Sequence, residues 1–259
     1  MNIGIMGAMT EEISQLLQHI SETGRETRGM REYVSGTLRG KKVTIVFSRW
    51  GKVAAASTAT TLIERYGVNY LIFTGVAGAM DQDLHVGDIV IADTLIQHDM
   101  DASALPGIER HEIPLLGISS FKVDSRHTDS ARLAAESYLS ENLTTDIDVH
   151  TLHAFHIHTP RVVTGTIASG DQFIADNQSA HALREQIPAL KCVEMEGAAV
   201  AQVAHEHGIP YLVIRTISDK ANESAAIDFP RFIDKVASRF TCGSVLRLLD
   251  LIQHEGSAD

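Results

Sequence analysis

Short apolar runs alternate with stretches of helical spacing along the whole chain. The apolar runs are typical of buried strands and predict strands at residues 2–9, 31–38, 42–48, 69–75, 88–97, 161–168, 191–195 and 210–216. The helical spacing predicts helices at residues 10–20, 52–67, 125–141, 177–186, 196–207 and 229–253. Strands interleaved with helices indicate a largely parallel or mixed sheet that is covered on both faces. We therefore predict one α/β domain over residues 1–259.

Local signals refine this pattern at three places. Thr10 is the predicted N-cap of the first helix, because Glu11 and Glu12 would then occupy its first turn. Residues 98–122 show little periodicity and contain two prolines, so they predict a long surface loop. The segment 142–160 is polar and rich in histidine, and its pattern predicts neither a helix nor a strand.

Composition and charge exclude several classes of protein. The chain is 44% apolar and 21% charged, which is close to the globular average and argues against disordered and fibrous classes. Its net charge of −11 argues against binding to nucleic acid or to an anionic membrane. The two cysteines indicate neither a disulfide framework nor a cysteine zinc site. Without a basic leader or an apolar run of roughly 18 residues, we expect a soluble, cytoplasmic enzyme.

Two predicted strand-to-helix junctions carry carboxylates. Glu12 follows the strand in GAMTEE, where the positive end of the helix dipole favours the carboxylate form and suits a general base. Taken alone, acidic enrichment of a first helical turn is the simpler explanation. Glu194 and Glu196 lie in the apolar stretch CVEMEGAAVA, where a charge without a partner is costly to bury. Strand alternation puts both on one side, so one would meet ligand hydroxyls while the other is held structurally; two solvated acids are the alternative.

Two further segments lie at strand ends. The buried strand in YLVIRTISDKA ends in Arg215, Ser218 and Asp219, so an acid has a cation and a hydroxyl nearby. A turn or N-cap role is the ordinary explanation for this aspartate. The glycines of TGVAGAM, residues 74–80, would let backbone amides approach a ligand, and a tight turn explains them equally well. This segment matches neither the phosphate loop nor the dinucleotide fingerprint.

Together these segments supply three carboxylates, Glu12, Glu196 and Asp219, at the ends of separate elements. Hydrolysis of an N-glycosidic bond needs one acid for the leaving base and one carboxylate to orient water, because the reaction passes through a sugar cation. It also gains from an acceptor that binds the ribose hydroxyls. Neither a metal nor an organic cofactor is required, and we predict none.

Seven segments carry a resemblance to a known family. In chain order they are GIMGAMTEE, GKVAAA, TGVAGA with VGDIV after it, HDMDASA, SGDQFI, VEMEGAAVA and RTISDKA. In this order and spacing the chain resembles the 5′-methylthioadenosine/S-adenosylhomocysteine nucleosidases of the nucleoside phosphorylase superfamily. The resemblance implies a single α/β domain with a twisted mixed central sheet flanked by helices, and a homodimer. It implies hydrolysis of 5′-methylthioadenosine, S-adenosylhomocysteine or 5′-deoxyadenosine to adenine and the 5′-substituted ribose.

The resemblance also implies roles for individual residues. Glu12 would activate the attacking water, and Asp219, with Ser218 beside it, would donate a proton toward N7 of adenine. Glu196 would bind the ribose hydroxyls, with Met195 packed on the sugar. The remaining members of the implied substrate-binding site are Met9, Trp50, Val76, Phe173, Ile174, Arg215 and Phe229.

Several of these remaining positions have more specific expectations. Phe173 would stack on adenine, the backbone of Ile174 would read the edge of the base, and Phe229 would close over the site. Val76 replaces the Ser or Thr of many members, which removes a hydroxyl from the wall. Trp50 corresponds to a position near the 5′-substituent, where its indole would narrow or reshape that subsite.

Four other functions remain open from the sequence. Hydrolysis of aminodeoxyfutalosine is a close variant of this reaction. It stays an alternative because Trp50 would alter the subsite for the 5′-substituent. Phosphorolysis is less consistent with Glu12, because an anion beside phosphate is repulsive. A non-catalytic nucleoside sensor would not need all three carboxylates. A metal enzyme would use His153, His156 and His158, the last two on one face of a strand, but no nearby carboxylate pattern supports it.

Overall fold

The computed structural model describes residues 1–222 and 224–252, without the side chains of residues 226–228. The strands are β1 (Asn2–Gly7), β2 (Ser21–Arg28), β3 (Arg31–Leu38), β4 (Lys41–Phe47), β5 (Tyr70–Ala79), β6 (Ile89–Gln97), β7 (Phe121–Lys122), β8 (Val162–Ser169), β9 (Leu190–Glu194) and β10 (Tyr211–Asp219). The helices are α1 (Thr10–His19), α2 (Lys52–Tyr66), α3 (Ser125–Glu141), α4 (Leu143–Asp146), α5 (Val149–Ala154), α6 (Asn177–Gln186), α7 (Gly197–Glu206), α8 (Ala225–Phe232) and α9 (Ser238–Leu251). A π-helical segment, Ile233–Ala237, joins α8 to α9.

These strands form one mixed sheet in the order β10-β6-β8-β9-β5-β1-β4-β3-β2, with β7 paired to β6. Because β10 also pairs with β5, the strands β5, β10, β6, β8 and β9 close into a ring. Gly78 of β5 pairs with Val193 of β9 on one side and with Asp219 of β10 on the other. The carboxyl ends of three strands therefore meet at this glycine.

The apolar core lies between the sheet and two groups of helices. Helices α1 and α3 both pack against α9, and α2 packs against α7. Strand β5 contributes Leu71, Ile72 and Phe73, which are all fully buried. An unbroken apolar run of this kind is typical of a strand covered on both faces. Within the described ranges, no helix is long and apolar enough to cross a membrane.

The predicted α/β class, with a mixed sheet flanked by helices, is confirmed, and the differences among the strands are local. The strand predicted at 69–75 continues to Ala79, because the TGVAGA backbone pairs along β10 instead of forming a turn. The strand predicted at 210–216 continues to Asp219 for the same reason. Strand β2 is absent from the prediction, because its sequence SETGRETR is polar and nearly all of it is exposed.

The differences among the helices also have local causes. Met9, not Thr10, is the N-cap of α1, and its backbone N–H donates to the Glu12 carboxylate at 3.0 Å. The segment 142–160 contains the short helices α4 and α5. The helix predicted at 229–253 starts earlier, at Ala225, and the π-helical segment interrupts it. Residues 223 and 253–259, which the predicted single domain includes, lie outside the described residues.

Candidate active site

One cavity lies where β1, β5, β9 and β10 end. The cavity and its solvent-filled mouth together contain about 560 Å³ of empty space. The structure brings together in its wall the predicted residues Met9, Glu12, Trp50, Val76, Phe173, Ile174, Met195, Glu196, Ser218, Asp219 and Phe229. Arg215 was predicted with them, but it lies behind the wall and is 1% exposed.

Glu12 is held against the end of β1 by backbone amides. Its Oε2 accepts hydrogen bonds from the N–H groups of Ala8 at 2.6 Å and Met9 at 3.0 Å, and its Oε1 accepts one from Val76 at 3.1 Å. Burial raises the pKa of Glu12 above its ordinary value, although the positive charge of Arg215 and these hydrogen bonds act in the opposite direction. The carboxylate is therefore fixed in place and is a better proton acceptor than an exposed glutamate.

Two glycines of β5 make room for the two carboxylates that flank them. A Cβ on Gly75 would lie 2.4 Å from Glu12 Oε1, and a Cβ on Gly78 would lie 2.9 Å from Asp219 Oδ1. Both distances are shorter than van der Waals contact permits. Because these glycines lie inside a strand, the alternative explanation of TGVAGAM as a tight turn is wrong.

Asp219 is the last residue of β10 and is 3% exposed. The hydroxyl of Ser218 donates to its Oδ2 at 2.8 Å, and the backbone N–H of Ala221 donates to its Oδ1 at 2.8 Å. Two neighbours thus fix the orientation of the carboxyl group at the cavity wall. The sequence expectation that a hydroxyl lies beside this acid agrees with the structure.

Glu194 forms a buried ion pair with Arg215. Nη2 of Arg215 lies 2.5 Å from Glu194 Oε2, and the guanidinium lies 4.1 Å from the ring centre of Phe73. Glu194 also accepts hydrogen bonds from the hydroxyl of Ser169 and from the backbone N–H of Gly197 at the start of α7. Of the two predicted acids in CVEMEGAAVA, Glu194 is therefore the one held by the protein itself.

Glu196 is the N-cap of α7, and its side chain faces the cavity. Its Oε1 accepts a hydrogen bond from the backbone N–H of Gly51 at 2.8 Å. Burial, followed by the negative charge of Glu194, raises the pKa of Glu196 to about 8, against the positive charge of Arg215. In the absence of a ligand this carboxyl therefore carries a proton at neutral pH for much of the time.

Three aromatic side chains form the mouth of the cavity. Phe229 packs edge-to-face with Trp50 at 6.1 Å between ring centres and with Phe173 at 5.5 Å. Trp50 is 55% exposed and Phe173 is 44% exposed, so a large part of each side chain is open to contact. Exposed rings at a cavity mouth favour an apolar or aromatic ligand group.

Sequence reasoning did not name the smaller members of the wall. These are Ala8, Ala77, Gln172 and Val193. Each is next to a predicted residue or to Glu194 in the sequence, so proximity along the chain is the signal that would have found them. Most lack polar side-chain atoms, so their residue types indicate no chemistry.

The histidine-rich segment does not form the strand that a metal site on His156 and His158 would need. Residues 149–154 form helix α5, and His156 adopts a left-handed backbone conformation with φ of 55°. The rings of His153 and His158 contact each other edge-to-face at 5.6 Å between ring centres. Among the described side chains, which are those of residues 1–222, 224–225 and 229–252, no three His, Cys, Asp or Glu form a group that would hold a metal ion.

Comparison with known proteins agrees with this geometry. The chain matches the model of the phosphorylase superfamily over residues 2–250. It is 37% identical over 237 residues to the 5′-methylthioadenosine/S-adenosylhomocysteine nucleosidase of Anoxybacillus flavithermus, an alignment that covers 92% of this chain and 93% of that one.

Solved structures give the same result. The 5′-methylthioadenosine/S-adenosylhomocysteine nucleosidase of Neisseria meningitidis, in complex with methylthio-immucillin-A, is 29% identical with a TM-score of 0.85, over 97% of this chain and 99% of that one. The futalosine hydrolase of Helicobacter pylori is 30% identical with a TM-score of 0.80, over 97% and 98% of the two chains. The chain belongs to the phosphorylase superfamily and, within it, to the family of the 5′-methylthioadenosine/S-adenosylhomocysteine nucleosidases.

Proposed function

We propose that this protein hydrolyses the N-glycosidic bond of 5′-substituted adenosines, releasing adenine and the 5′-substituted ribose. The observation that carries the proposal is the convergence of Glu12, Glu196 and Asp219 on one cavity. Each of the three is at most 5% exposed, so each acts in a site from which most water is excluded. Contacts to a developing sugar cation are stronger there than in bulk water.

Glu12 is the proposed general base. Its carboxylate is held rigidly by three backbone amides, so a water bonded to it would be directed at C1′ of the ribose. As the oxygen of this water bonds to C1′, its proton passes to Glu12. The raised pKa of Glu12 makes it a more effective acceptor for that proton.

Asp219 is the proposed general acid. The bond between C1′ and N9 of adenine breaks with its electron pair moving to the purine, and a proton from Asp219 reaches N7. Adenine then departs as a neutral base. The hydrogen bond from Ser218 to Oδ2 helps to fix the orientation of this carboxyl group.

Glu196 is the proposed partner of the ribose. Ribose hydroxyls would donate to its carboxylate, and the negative charge would stabilise the cationic sugar. The surroundings of Glu196 raise its pKa to about 8, and substrate hydroxyls that donate to the ionised form would lower it. Phe173 would stack on the adenine, Ile174 would read its edge, and Met195 would pack against the sugar.

The charges around the cavity favour water over phosphate as the nucleophile. In the described part of the chain, the cavity wall contains acidic residues and no lysine, arginine or histidine. Arg215 is paired with Glu194 behind the wall. A bound phosphate dianion would therefore lie near Glu12 without a cation to compensate its charge.

A futalosine-type nucleoside is the second candidate substrate. The similarity to the futalosine hydrolase of Helicobacter pylori favours it, and so does the aromatic mouth formed by Trp50 and Phe229. The 5′-substituent of any substrate would leave the ribose toward these rings, with Met9 on the same wall.

One assay separates these functions. Methylthioadenosine, S-adenosylhomocysteine, 5′-deoxyadenosine and aminodeoxyfutalosine are each incubated with the protein, with and without phosphate, and free adenine is measured. We expect adenine release that does not depend on phosphate. Release only with phosphate would assign a phosphorylase, and binding without release would assign a sensor. The homodimer and the cytoplasmic location stay predictions from the sequence.

A further inference from the structure

Three loops beside the cavity are joined by a cluster of three residues, Lys52, Asp99 and Asp171. The ammonium of Lys52 donates to Asp99 Oδ1 at 2.6 Å, and the backbone N–H of Asp171 donates to Asp99 Oδ2 at 2.8 Å. The backbone N–H of Lys52 donates to Asp171 Oδ1 at 2.8 Å. Each member thus contacts the other two, and none belongs to the cavity wall described above.

The cluster lies at the surface, with the side chains of Lys52 and Asp99 partly buried, and it is anchored to the sheet and to α7. The side chains of Lys52 and Asp99 are 17% and 21% exposed. Lys52 also donates to Gln97 at 3.1 Å, and Gln97 donates to Gln202 of α7 at 2.6 Å. Burial alone would raise the pKa of Asp99, but the hydrogen bonds from Lys52 and Asp171 outweigh it and hold the pKa below its ordinary value. Asp99 is therefore ionised, and its carboxylate accepts hydrogen bonds from both other members of the cluster.

On one side the cluster fixes the loop that carries Trp50. Gly51, the residue between Trp50 and Lys52, donates its N–H to Glu196 at 2.8 Å. Its φ is 91°, a conformation that favours glycine, and a Cβ there would lie 3.0 Å from Asp171 Oδ1. The loop therefore lies directly between Glu196 and the cluster.

On the other side the cluster fixes the loop that follows β8. Asp171 accepts a hydrogen bond from Lys52 and donates one to Asp99. Phe173 and Ile174, two and three residues further on, line the cavity. Displacement of Asp171 would move the residues proposed to hold adenine.

We propose that Asp99 is a positioning residue, whose two carboxylate oxygens tie the Trp50 loop to the Phe173 loop and so set the distance between the 5′-group and adenine subsites. This role assigns a purpose to Asp99 in HDMDASA, a motif to which the three-carboxylate mechanism gives no part. The inference rests on the proposed function, because enzyme activity is one of its readouts. A second readout is independent of any substrate.

The test compares Asp99→Asn with Asp101→Asn. An asparagine amide has one acceptor oxygen, so at Asp99 its NH₂ group would face either Lys52 or the Asp171 N–H, donor against donor. Asp101 is exposed, lies two residues further along the same loop and contacts residues of that loop, Ser103 by hydrogen bonds and Arg110 at 3.8 Å. It is therefore a matched control for the loss of one negative charge.

The first readout is the fluorescence of Trp50, the only tryptophan of the chain. We expect Asp99→Asn to change its emission maximum and to increase its quenching by acrylamide, while Asp101→Asn does neither. This measurement needs no substrate. If the wild-type protein failed to release adenine from any nucleoside, the proposed function would be wrong and the fluorescence comparison would still decide the role of Asp99.

The second readout is enzymatic. We expect kcat/KM to fall between about 10-fold and 100-fold in Asp99→Asn, since a displacement near 1 Å has an effect of this size. The acid limb of kcat/KM should also move to higher pH, because loss of the Gly51 hydrogen bond removes an influence that lowers the pKa of Glu196. A variant whose only defect was a smaller folded fraction would have a lower kcat/KM at every pH, and its acid limb would stay at the wild-type pH.

Lys52→Met removes the same link from its other end. We expect it to reproduce both effects, and the double variant with Asp99→Asn to be no worse than either single variant, because coupled residues are not additive. The proposal would be overturned if kcat/KM and the acrylamide quenching of Trp50 in Asp99→Asn were both within twofold of the values in Asp101→Asn. A loss of activity in Asp99→Asn with unchanged Trp50 fluorescence would also overturn it.

Discussion

The carboxylate of Glu12 occupies the space that a side chain on Gly75 would fill. A Cβ at that glycine would lie 2.4 Å from Glu12 Oε1 and 2.9 Å from its Cδ. The next residue, Val76, donates its N–H to the same oxygen at 3.1 Å. Strand β5 therefore positions the proposed base both by a hydrogen bond and by the absence of a side chain.

Gly75→Ala should displace this carboxylate and reduce kcat by about 100-fold, because the neighbouring atoms are a buried group with little freedom to move. We expect the free energy of unfolding to fall by about 1–3 kcal/mol. Steady-state assays of adenine release and urea denaturation would measure the two effects.

Gly24→Ala is the matched control for this substitution. Gly24 also lies in a strand, and a Cβ there would meet nothing within 4 Å. Both activity and stability should stay close to those of the wild-type protein. Equal losses in the two alanine variants would contradict the steric argument.

The sequence predicts most of this fold because buried strands such as β5 carry long apolar runs. It does not predict β2, since SETGRETR is an exposed strand without an apolar run, which pairs with β3 through backbone hydrogen bonds and polar contacts such as Arg25 with Glu32. It likewise ends β5 at Gly75, because glycine usually terminates strands. Gly75 lies within β5 because it pairs with Arg215 of β10. This partner is 140 residues away along the chain, so local sequence does not reveal it.

The candidate site is predicted to a similar extent and for similar reasons. Glu12, Glu196 and Asp219 are recognisable because charged residues at the ends of apolar elements are unusual. Their three-dimensional convergence follows from the closed ring of strands, which periodicity does not reveal. The positioning role of Asp99 is not apparent from the sequence either, since its hydrogen-bond partners Lys52 and Asp171 are distant along the chain.

Glu12→Gln should reduce kcat by at least about 100-fold, because an amide does not accept a proton from water at neutral pH. The substitution also turns an NH₂ group toward the backbone N–H groups of Ala8 and Met9 or of Val76, which are donors already. Steady-state rates of adenine release at several substrate concentrations would measure the loss.

Glu11→Gln provides the control for this variant. Glu11 is the preceding residue in α1 and is exposed, so removal of its charge should change kcat less than twofold. A Glu12→Gln enzyme with nearly wild-type activity would exclude Glu12 as the base.

Asp219→Asn should remove nearly all turnover of methylthioadenosine while nucleoside binding survives. Asparagine keeps the shape of the side chain. Its oxygen can accept from the Ala221 N–H and its NH₂ group can donate to the Ser218 hydroxyl, but it has no acidic proton to transfer to N7. We expect kcat to fall by about 100-fold to 10,000-fold. Equilibrium binding of methylthioadenosine to the variant would be measured by calorimetry.

Ser218→Ala separates orientation from proton transfer at this position. It removes the hydroxyl that donates to Asp219 at 2.8 Å but leaves the acid in place. Its loss of kcat should therefore be much smaller than that of Asp219→Asn. Full activity of the Asp219→Asn enzyme would show that another group supplies the proton.

Trp50→Ile should change the order in which the protein prefers its substrates. The indole is 55% exposed at the cavity mouth and contacts Phe229, so its removal widens the region where the 5′-substituent would leave. We expect kcat/KM to rise for S-adenosylhomocysteine relative to 5′-deoxyadenosine, because only the larger substituent reaches this region. Parallel measurements on both nucleosides would give the ratio, and an unchanged ratio would place the indole outside the subsite.

The stability of the unliganded protein should fall as the pH rises from about 5 to 8, because of Glu196. The pKa of Glu196 is raised from its ordinary value of 4.5 to about 8 in the folded protein. Between these values the folded state holds a proton that the unfolded state has lost. The stabilisation is therefore complete below pH 4.5 and is lost as the pH rises through the folded pKa, with a slope of at most about 1.4 kcal/mol per pH unit for one proton.

Urea denaturation of Glu196→Gln at pH 5, 6, 7 and 8 would measure this contribution. The glutamine does not ionise and can still accept the Gly51 hydrogen bond, so its stability should depend less steeply on pH and exceed that of the wild type at pH 8. Glu109→Gln removes a carboxyl group that is exposed, and it should keep the wild-type slope. Burial of Glu12 raises its pKa in the same direction, so a shallow slope should persist in Glu196→Gln and decrease further when Glu12→Gln is added. A wild-type slope in Glu196→Gln would mean that this carboxyl does not hold the proton.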